Sequence, residues 1–230
     1  MTIALDAMFA GTPRPLGPRG ILSSITKTRI AGPWQITATG LVGDAQADTI
    51  NHGGLDKALH HYPFEHYVTW ARDLPHIASI LQHVPAFGEN ISTRGMTENT
   101  VCIGDIYAVG AVRLQIAQGR QPCWKLNARF NVPDMAYRVQ KTGRTGWYYR
   151  VLTPGIIEPA STLRLEHRPQ PQWPLARLID LLYKRTTAFD ELATVAALPE
   201  LTEGWRKLAS RRVATRNVES WKSRLDGDTS

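Results

Sequence analysis

The cysteine at position 123 lies in the segment QGRQPCWKLN (118–127), where it follows a proline and stands between Arg120 and Lys125. Because proline is favoured at the first helical position, the segment predicts a helix over 122–130 with Cys123 in its first turn. Unpaired N–H groups at a helix start and the two neighbouring cations favour the thiolate form. Two interpretations stay open: a nucleophile or metal ligand, and a small buried apolar residue.

The second cysteine, Cys102, lies in the apolar segment TVCIGD and is predicted to be structural. Two cysteines in 230 residues argue against a disulfide framework and indicate reduced thiols in the cytoplasm. The same number excludes an iron–sulfur cluster held by four cysteines of this chain, and also a CxxC zinc site.

A second group of polar residues occupies the glycine-rich segment 40–63, and its ionisable members are Asp44, Asp48, His52, Asp56, Lys57, His60 and His61. A loop rich in glycine offers closely approachable backbone, which suits an anion or the polar edge of a substrate. The acids and histidines could instead bind zinc, although their spacing matches no recognised ligand set. If His60 and His61 lie on a strand, they point to opposite faces, so at most one faces a site.

Positive charge is concentrated between positions 113 and 150, where eight lysines and arginines stand against the single acid Asp134. Such a segment is either a solvated face or an anion site. The sequence shows neither a helix-turn-helix pattern nor basic residues interleaved with aromatic ones, which are two signals of nucleic-acid binding. A compact phosphorylated ligand fits the segment as well as a polymer does.

The elements that must position these residues are mainly short strands. Strand-like segments are predicted at 20–30, 34–41, 59–62, 101–118, 146–155 and 162–167. Helices are predicted at 63–74, 75–83, 122–130 and 133–143. Many short strands separated by Gly and Pro indicate a mainly β fold with interspersed helices, either a β-barrel or strongly bent sheets.

Three prolines in 167–174 mark a boundary. We therefore predict a β-barrel domain at 1–167, a Pro-rich linker at 168–174 and three helices at 175–215, with Thr202 as the N-cap of the third. The helices are too short to bury much alone and should pack on the barrel. The polar tail, 216–230, is predicted to fray after Trp221.

No apolar run approaches the roughly 20 residues that cross a bilayer. The first residues carry Asp6 within their apolar stretch and lack a basic start, which is a poor signal peptide. A cytoplasmic protein without a membrane segment is the expectation.

Taken in order, several segments resemble the MOSC family, and in particular its YiiM-type bacterial members with a three-helix C-terminal domain. These segments are GLVGDAQAD, HGGLDKALHHYPFEHY, FGENIS, IGDIYAVG, RQPCWKLN and TGWYYRVLTPG. The resemblance extends over roughly residues 15–215. It implies a β-barrel that binds the molybdenum cofactor, a pterin carrying a phosphate, with Cys123 as the sulfur ligand of the metal.

The resemblance also implies an oxidoreductase that reduces N-hydroxylated small molecules, including hydroxylaminopurine bases, and so detoxifies them. The overall change is two-electron reduction of R–NH–OH to the amine and water. Since neither an Fe–S cluster nor a G-x-G-x-x-G fingerprint is evident, a separate electron-donating reductase is implied. Pyridoxal phosphate and nucleic acid are not expected, and a homodimer is one oligomeric state that the sequence allows.

On this resemblance Arg120, Lys125 and Arg150 are expected to bind the cofactor. The glycine-rich loop is expected to close the other side of the site, with Lys57 on the phosphate and Asp44 or His52 donating a proton. The other cofactor-binding candidates are Gln46, Asp48 and Asn90, although Asn90 could simply close a turn.

The alternative from another class is a non-catalytic module that carries the cofactor or relays sulfur through Cys123. Nucleic-acid binding through the basic segment is a third hypothesis, and it predicts strongly salt-dependent affinity.

Overall fold

A computed structural model describes residues 2–47 and 53–227 of the chain. Its strands are β1 (Thr2–Ala4), β2 (Met8–Ala10), β3 (Arg14–Leu16), β4 (Ile21–Ser23), β5 (Thr28–Ile30), β6 (Trp34–Thr37), β7 (Gly40–Leu41), β8 (Leu59–His61), β9 (Ile106–Val109), β10 (Val112–Gly119), β11 (Trp147–Thr153), β12 (Gly155–Ile157) and β13 (Thr162–His167). Its helices are α1 (Phe64–Asp73), α2 (Ala78–Leu81), α3 (Lys125–Phe130), α4 (Met135–Thr142), α5 (Leu175–Tyr183), α6 (Phe189–Ala196), α7 (Glu203–Thr215) and α8 (Lys222–Asp226). Leu55–Lys57 and Pro75–Ile77 form 3₁₀ turns.

The central sheet is antiparallel, with the strand order β1-β13-β9-β10-β11-β8. Strand β10 shifts register twice against β11, and such bulges increase the twist of a sheet. The smaller sheets are β12-β6-β7, β2-β5 and β3-β4. The central sheet curls into a half-barrel with several helices, which confirms the predicted mainly β class.

Strands β8 and β11 place their side chains alternately in the core and in a pocket. His61 lies opposite Trp147, and its ring nitrogens are 3.1 Å from the Tyr149 hydroxyl and 2.9 Å from that of Thr93. Burial lowers the pKa of His61 to about 3, so it is a neutral core residue. The neighbouring His60 points to the other face, as the period of two predicts.

Two elements near the pocket differ from their sequence predictions. The segment 20–30 is not one strand but β4 and β5, and Ser24, Ile25 and Lys27 between them line the pocket. The helix predicted over 122–130 begins only at Lys125, with Trp124 as its N-cap. Cys123 lies one residue before the N-cap, and its carbonyl accepts the N–H of Leu126 at 2.9 Å, while the N–H of Trp124 donates to the distant Arg224 carbonyl at 2.8 Å. A remote segment thus satisfies an N–H group that has no partner within the helix.

The C-terminal helices pack on the sheet and share its core, as expected. Thr202 caps α7 by accepting the N–H of Trp205 at 3.4 Å, which confirms the predicted N-cap. At Gly119 a Cβ atom would lie 3.0 Å from Trp205 and 3.1 Å from Ile179, so a side chain there would require these neighbours to shift by a few tenths of an ångström.

The prediction of a fraying tail was wrong, because the segment after α7 is packed and ends in helix α8. Arg212 is fully buried, where it pairs with Glu219 at 2.6 Å and donates to the Leu182 carbonyl at 2.7 Å. Leu225 is buried in the cluster of α3 and α4. The sequence of the tail does not reveal these contacts, because the partners of Glu219 and Leu225 lie on other elements. Among the helices of the described residues, none is long and apolar enough to span a membrane.

Candidate active site

The candidate site is a pocket with an empty volume of about 580 Å³, counting its open mouth. Segments far apart in the chain form its wall. Its lining residues are Ser23, Ser24, Ile25, Lys27, Gln46, Ala47, Lys57, His60, Phe87, Gly88, Asn90, Arg120, Cys123, Lys125 and Tyr148.

Cys123 lines this pocket from the turn that leads into α3, and its relative exposure is 7%. Neither cysteine is in a disulfide. Cys102 lies elsewhere, with its sulfur 3.8 Å from the Pro171 carbonyl oxygen. Burial and the nearby Asp105 raise the pKa of the Cys102 thiol, which agrees with its predicted structural role.

Arg120 brings a buried positive charge to the same pocket. Its backbone N–H is fixed by the Gly146 carbonyl at 3.0 Å, and its Nη1 atom is buried without a hydrogen-bond partner among the described residues. The hydroxyl of Ser24 is likewise buried without a hydrogen-bond partner among these residues. Buried polar atoms are almost always paired in folded proteins, so such atoms on a pocket wall indicate a ligand or water.

The charge of Arg120 also affects its neighbours. Burial, reinforced by this charge, lowers the pKa of His60 well below its usual range, so His60 is a neutral imidazole at neutral pH. Burial raises the pKa of Tyr148, and the arginine opposes that rise. The wall beside the cysteine thus carries one fixed cation and two neutral hydrogen-bonding rings.

Asp44 lies behind the pocket wall and not on it. Its carboxylate accepts hydrogen bonds from the Lys27 ammonium, from the Gly11 N–H at 2.8 Å and from the Asn90 amide at 2.8 Å. Its side chain is 4% exposed. The expected role of Asp44 as a proton donor has no support in this placement, because three donors already occupy the carboxylate. It instead holds Lys27, whose pKa is lowered by burial in spite of the adjacent acid.

Asn90 lies on the pocket wall but is tied down on both sides. Its Oδ1 accepts the N–H of His60 at 3.0 Å, and its Nδ2 donates to the Phe9 carbonyl at 3.0 Å as well as to Asp44. The side chain therefore braces the strand that carries His60.

Glu89 is a fully buried acid next to this network. It accepts hydrogen bonds from the Tyr67 hydroxyl and, at 3.0 Å, from the Phe87 N–H. Burial raises the pKa of Glu89 to about 7, although both hydrogen bonds and the charge of Lys27 oppose the rise.

The structure brings together most of the remaining predicted site residues. Gln46, Lys57 and Lys125 line the pocket with Cys123. Asp48 and His52 lie outside the described residues. Arg150 was expected to face the cofactor but lies outside the pocket, because its guanidinium donates to Asp56 at 2.6 Å and to Gln115 at 2.8 Å.

The basic segment 113–150 does not form one surface. Its members pair with acids on separate elements: Arg113 with Glu166, Arg138 with Asp134, and Arg144 with Asp73. Only Arg120 and Lys125 of that segment line the pocket, as far as the described residues go.

Sequence reasoning missed Ser24, Lys27, Glu89 and Tyr148. Ser24 and Lys27 were assigned to a continuous strand, and only the split between β4 and β5 exposes them to the pocket. The sequence did contain a signal for Glu89, since a carboxyl beside Asn90 in an apolar turn is unusual. Tyr148 is flanked by core aromatics of the same strand, and no local signal separates it from them.

No cluster of three or more His, Cys, Asp or Glu side chains within the described ranges could hold a metal ion. A hydrolytic zinc site built from the described acids and histidines therefore does not form. Cys123 could contribute one sulfur ligand to a metal whose other ligands come from a cofactor.

Comparisons with known proteins agree with this architecture. The family model described as MOSC domain matches residues 48–164, and the model described as YiiM-like, 3-alpha helix domain matches residues 173–216. Protein YiiM of Escherichia coli (strain K12) is 36% identical over 218 residues, which cover 91% of this chain and 93% of that protein. Its crystal structure has a TM-score of 0.80 at 32% identity, covering 93% of this chain and 98% of that chain.

Two further relatives are similar. The crystal structure of YiiM from Geobacillus stearothermophilus has a TM-score of 0.77 at 31% identity and covers 92% of this chain and 99% of that chain. A protein named Reductase from Gibberella moniliformis (strain M3125 / FGSC 7600) is 38% identical over 194 residues, which are 84% of this chain but 34% of the fungal protein.

The chain belongs to the MOSC family, whose domains are associated with molybdenum cofactor binding. Within that family it has the YiiM-like architecture, in which the half-barrel is followed by the three-helix domain.

Replacing Asp44 by Asn is expected to lower the free energy of unfolding by about 3 kcal/mol, because Lys27 would stay buried without its counter-charge. Urea denaturation monitored by tryptophan fluorescence measures this loss. Asp73→Asn is the matched control, because that carboxylate is more exposed and pairs with Arg144 near the surface, where a loss below about 1 kcal/mol is expected. An unchanged stability of Asp44→Asn would contradict the structural role.

Glu89 predicts a pH dependence of stability. Its pKa is about 7 in the folded chain, against 4.5 as the ordinary value. The folded state therefore binds the proton more tightly, and this contribution is fully present below pH ~4.5 and lost as the pH rises through ~7. Compared with Glu89→Gln, the wild type should lose on the order of 2–3 kcal/mol of unfolding free energy between pH 4.5 and 8.

Urea denaturation at pH 5 and pH 8 provides the comparison for Glu89. The exposed Glu158→Gln variant is the control and should follow the wild type at both pH values. Parallel pH profiles for the wild type and Glu89→Gln would show that Glu89 keeps an ordinary pKa.

Proposed function

We propose that this chain binds the molybdenum cofactor in the pocket and reduces N-hydroxylated compounds, such as hydroxylaminopurine base analogues, to the corresponding amines. The observation that carries the proposal is the buried, unpartnered Nη1 atom of Arg120 on the same wall as Cys123, within the described residues. The family's association with this cofactor and the name Reductase of the fungal relative support it.

The pocket residues fit the chemistry of the cofactor. A phosphorylated pterin presents anionic oxygens and planar polar edges, which require fixed cations and hydrogen-bond donors. Arg120 and Ser24 have buried polar atoms that await such partners. Lys57 and Lys125, both half-buried, add positive charge at the same pocket. Cys123 would hold the metal through its sulfur, since a soft thiolate suits molybdenum.

When bound, the cofactor supplies the two-electron redox chemistry. The balanced reaction is R–NH–OH plus two electrons and two protons, which gives R–NH₂ and water. In this proposal the electrons come from a separate reductase, because the two cysteines cannot form a four-cysteine cluster and no dinucleotide fingerprint is evident.

Residues of this chain are responsible for the proton and for the orientation of the substrate. Lys27 lines the pocket, and the lowered pKa makes its ammonium a better acid than a surface lysine. Asp44 fixes that ammonium through its carboxylate. His60, neutral at working pH, can offer one hydrogen bond without adding charge. Phe87 and Tyr148 supply aromatic surface for a planar substrate.

Cofactor content tests the binding site. Protein expressed in a molybdenum-cofactor-competent host is expected to contain near-stoichiometric molybdenum and pterin. Cys123→Ser should lose most of the molybdenum, and Arg120→Met should lose pterin and molybdenum together, because the buried Nη1 donor would be missing from the pocket wall. Metal analysis by mass spectrometry and pterin fluorescence measure both contents.

Arg150→Met is the matched control for the cofactor experiment, since it removes an arginine of the same basic segment that lies outside the pocket. It should retain the wild-type cofactor content. Wild-type protein without molybdenum and pterin from a competent host would refute the proposed site.

Turnover distinguishes a reductase from a non-catalytic carrier. Loaded protein with a reduced viologen as electron donor should convert a hydroxylaminopurine to the aminopurine, as followed by chromatography. Lys27→Met should lower kcat per bound molybdenum by ~100-fold, which is a usual contribution of general acid catalysis. Full loading without any product would favour the carrier.

A further inference from the structure

We infer that Arg224, in the segment that follows the three-helix domain, is a positioning residue that fixes the backbone on both sides of Cys123. The family match to the three-helix domain ends at residue 216, so this segment lies beyond it. The inference deepens the proposed function, since the position of the thiol matters most if Cys123 is a metal ligand.

Arg224 contacts the residue before the cysteine and the residue after it. Its backbone carbonyl accepts the N–H of Trp124 at 2.8 Å, and its Nη1 donates to the carbonyl oxygen of Pro122. Its Nη2 donates to Oε1 of Gln140 on α4 at 2.5 Å. A single residue thus ties both flanks of Cys123 to each other and to a neighbouring helix.

The next residue of the tail extends this attachment. The Leu225 carbonyl accepts Nδ2 of Asn127 at 2.9 Å, while the Leu225 side chain is buried against α3 and α4. These bonds hold the first turn of α3, and α3 is a helix of six residues. So short a helix has little stability of its own, so contacts from outside determine where it begins.

The tail is itself firmly anchored on the three-helix domain. Glu219 accepts two hydrogen bonds from the fully buried Arg212, at 3.0 and 2.6 Å, and one from Trp221 at 2.8 Å. Although partial burial alone would raise it, these bonds lower the pKa of Glu219 to about 2. The ion pair therefore persists at neutral pH, and the three-helix domain is mechanically connected to the cysteine turn.

A metal ligand must be held within a fraction of an ångström, and its supporting residues provide that rigidity. Cys123 is 7% exposed on the pocket wall, so opening of the turn should increase the access of an alkylating reagent to its sulfur. Loss of the Arg224 side chain removes two charge-assisted hydrogen bonds from the closed state. The open fraction should therefore increase by roughly tenfold or more.

The experiment compares iodoacetamide alkylation of Cys123 in full-length wild-type and Arg224→Ala protein. The protein is prepared from a host that does not make the cofactor, under native conditions, and peptide mass spectrometry separates Cys123 from Cys102. Arg224→Ala is expected to react at least ~10 times faster. Lys222→Ala is the matched control, because it removes a charge from an exposed position of the same helix, and it should react like the wild type.

Thermal denaturation shows whether the variants fold. If Arg224→Ala does not fold, Arg224→Lys takes its place, because lysine keeps the charge but cannot span both acceptors, and an intermediate increase is expected. An unchanged alkylation rate in a folded Arg224 variant overturns the inference, even if its melting temperature is lower.

A second readout uses protein loaded in a competent host. The molybdenum of Arg224→Ala should dissociate faster during dialysis than that of Lys222→Ala, while equal rates would count against positioning. The alkylation experiment needs no cofactor. Faster alkylation in a chain whose wild type binds no molybdenum would therefore refute the proposed function and leave the positioning role in place.

Discussion

The buried positive charge of Arg120 is the constraint on which the pocket depends. Within the described part of the chain its Nη1 atom has no hydrogen-bond partner, although the backbone at this residue is fixed. Leaving such a group unsatisfied costs about 1–3 kcal/mol, and more for a charged group. The fold must offset that cost through its core. The same charge adds to the effect of burial, which is the larger cause of the lowered pKa of His60.

Lys27 is also a buried cation, but a neighbouring carboxylate balances its charge. Its ammonium is buried beside the pocket but is compensated by Asp44, which also bonds to Gly11 and Asn90. Asp44 thus connects segments around residues 11, 27, 44 and 90, and Asn90 passes the connection on to the strand of His60. The compensated cation connects the elements around the pocket, while the Nη1 atom of Arg120, unpaired within the described residues, is the donor that the proposed anionic ligand would meet.

The C-terminal domain is part of this arrangement and not an appendage. Its helices share the core of the sheet, and the segment beyond them returns to the turn that carries Cys123. Arg212 and Glu219 supply the anchor, and Leu225 supplies apolar burial between α3 and α4. The stability of the three-helix domain and the geometry of the pocket are therefore physically linked.

The sequence by itself determined what depends on neighbouring residues. The period of two separated His60 from His61, glycine and proline marked the strand ends, and Thr202 was identifiable as an N-cap. Cys123 between two cations was recognisable for the same reason, and so was the family, whose motifs stand in order along the chain.

Only the tertiary structure decided the roles that depend on distant partners. Asp44 and Arg150 carry suitable side chains for a site, yet Asp44 is bound to Asn90, 46 positions away, and Arg150 to Asp56, 94 positions away. The turn before helix α3 is hydrogen-bonded to Arg224, which is 102 positions from Pro122. Local sequence gives the propensity and charge of a residue. Which hydrogen bonds it makes depends on long-range packing, because a side chain bonds to groups that are close in space, whatever their separation in sequence.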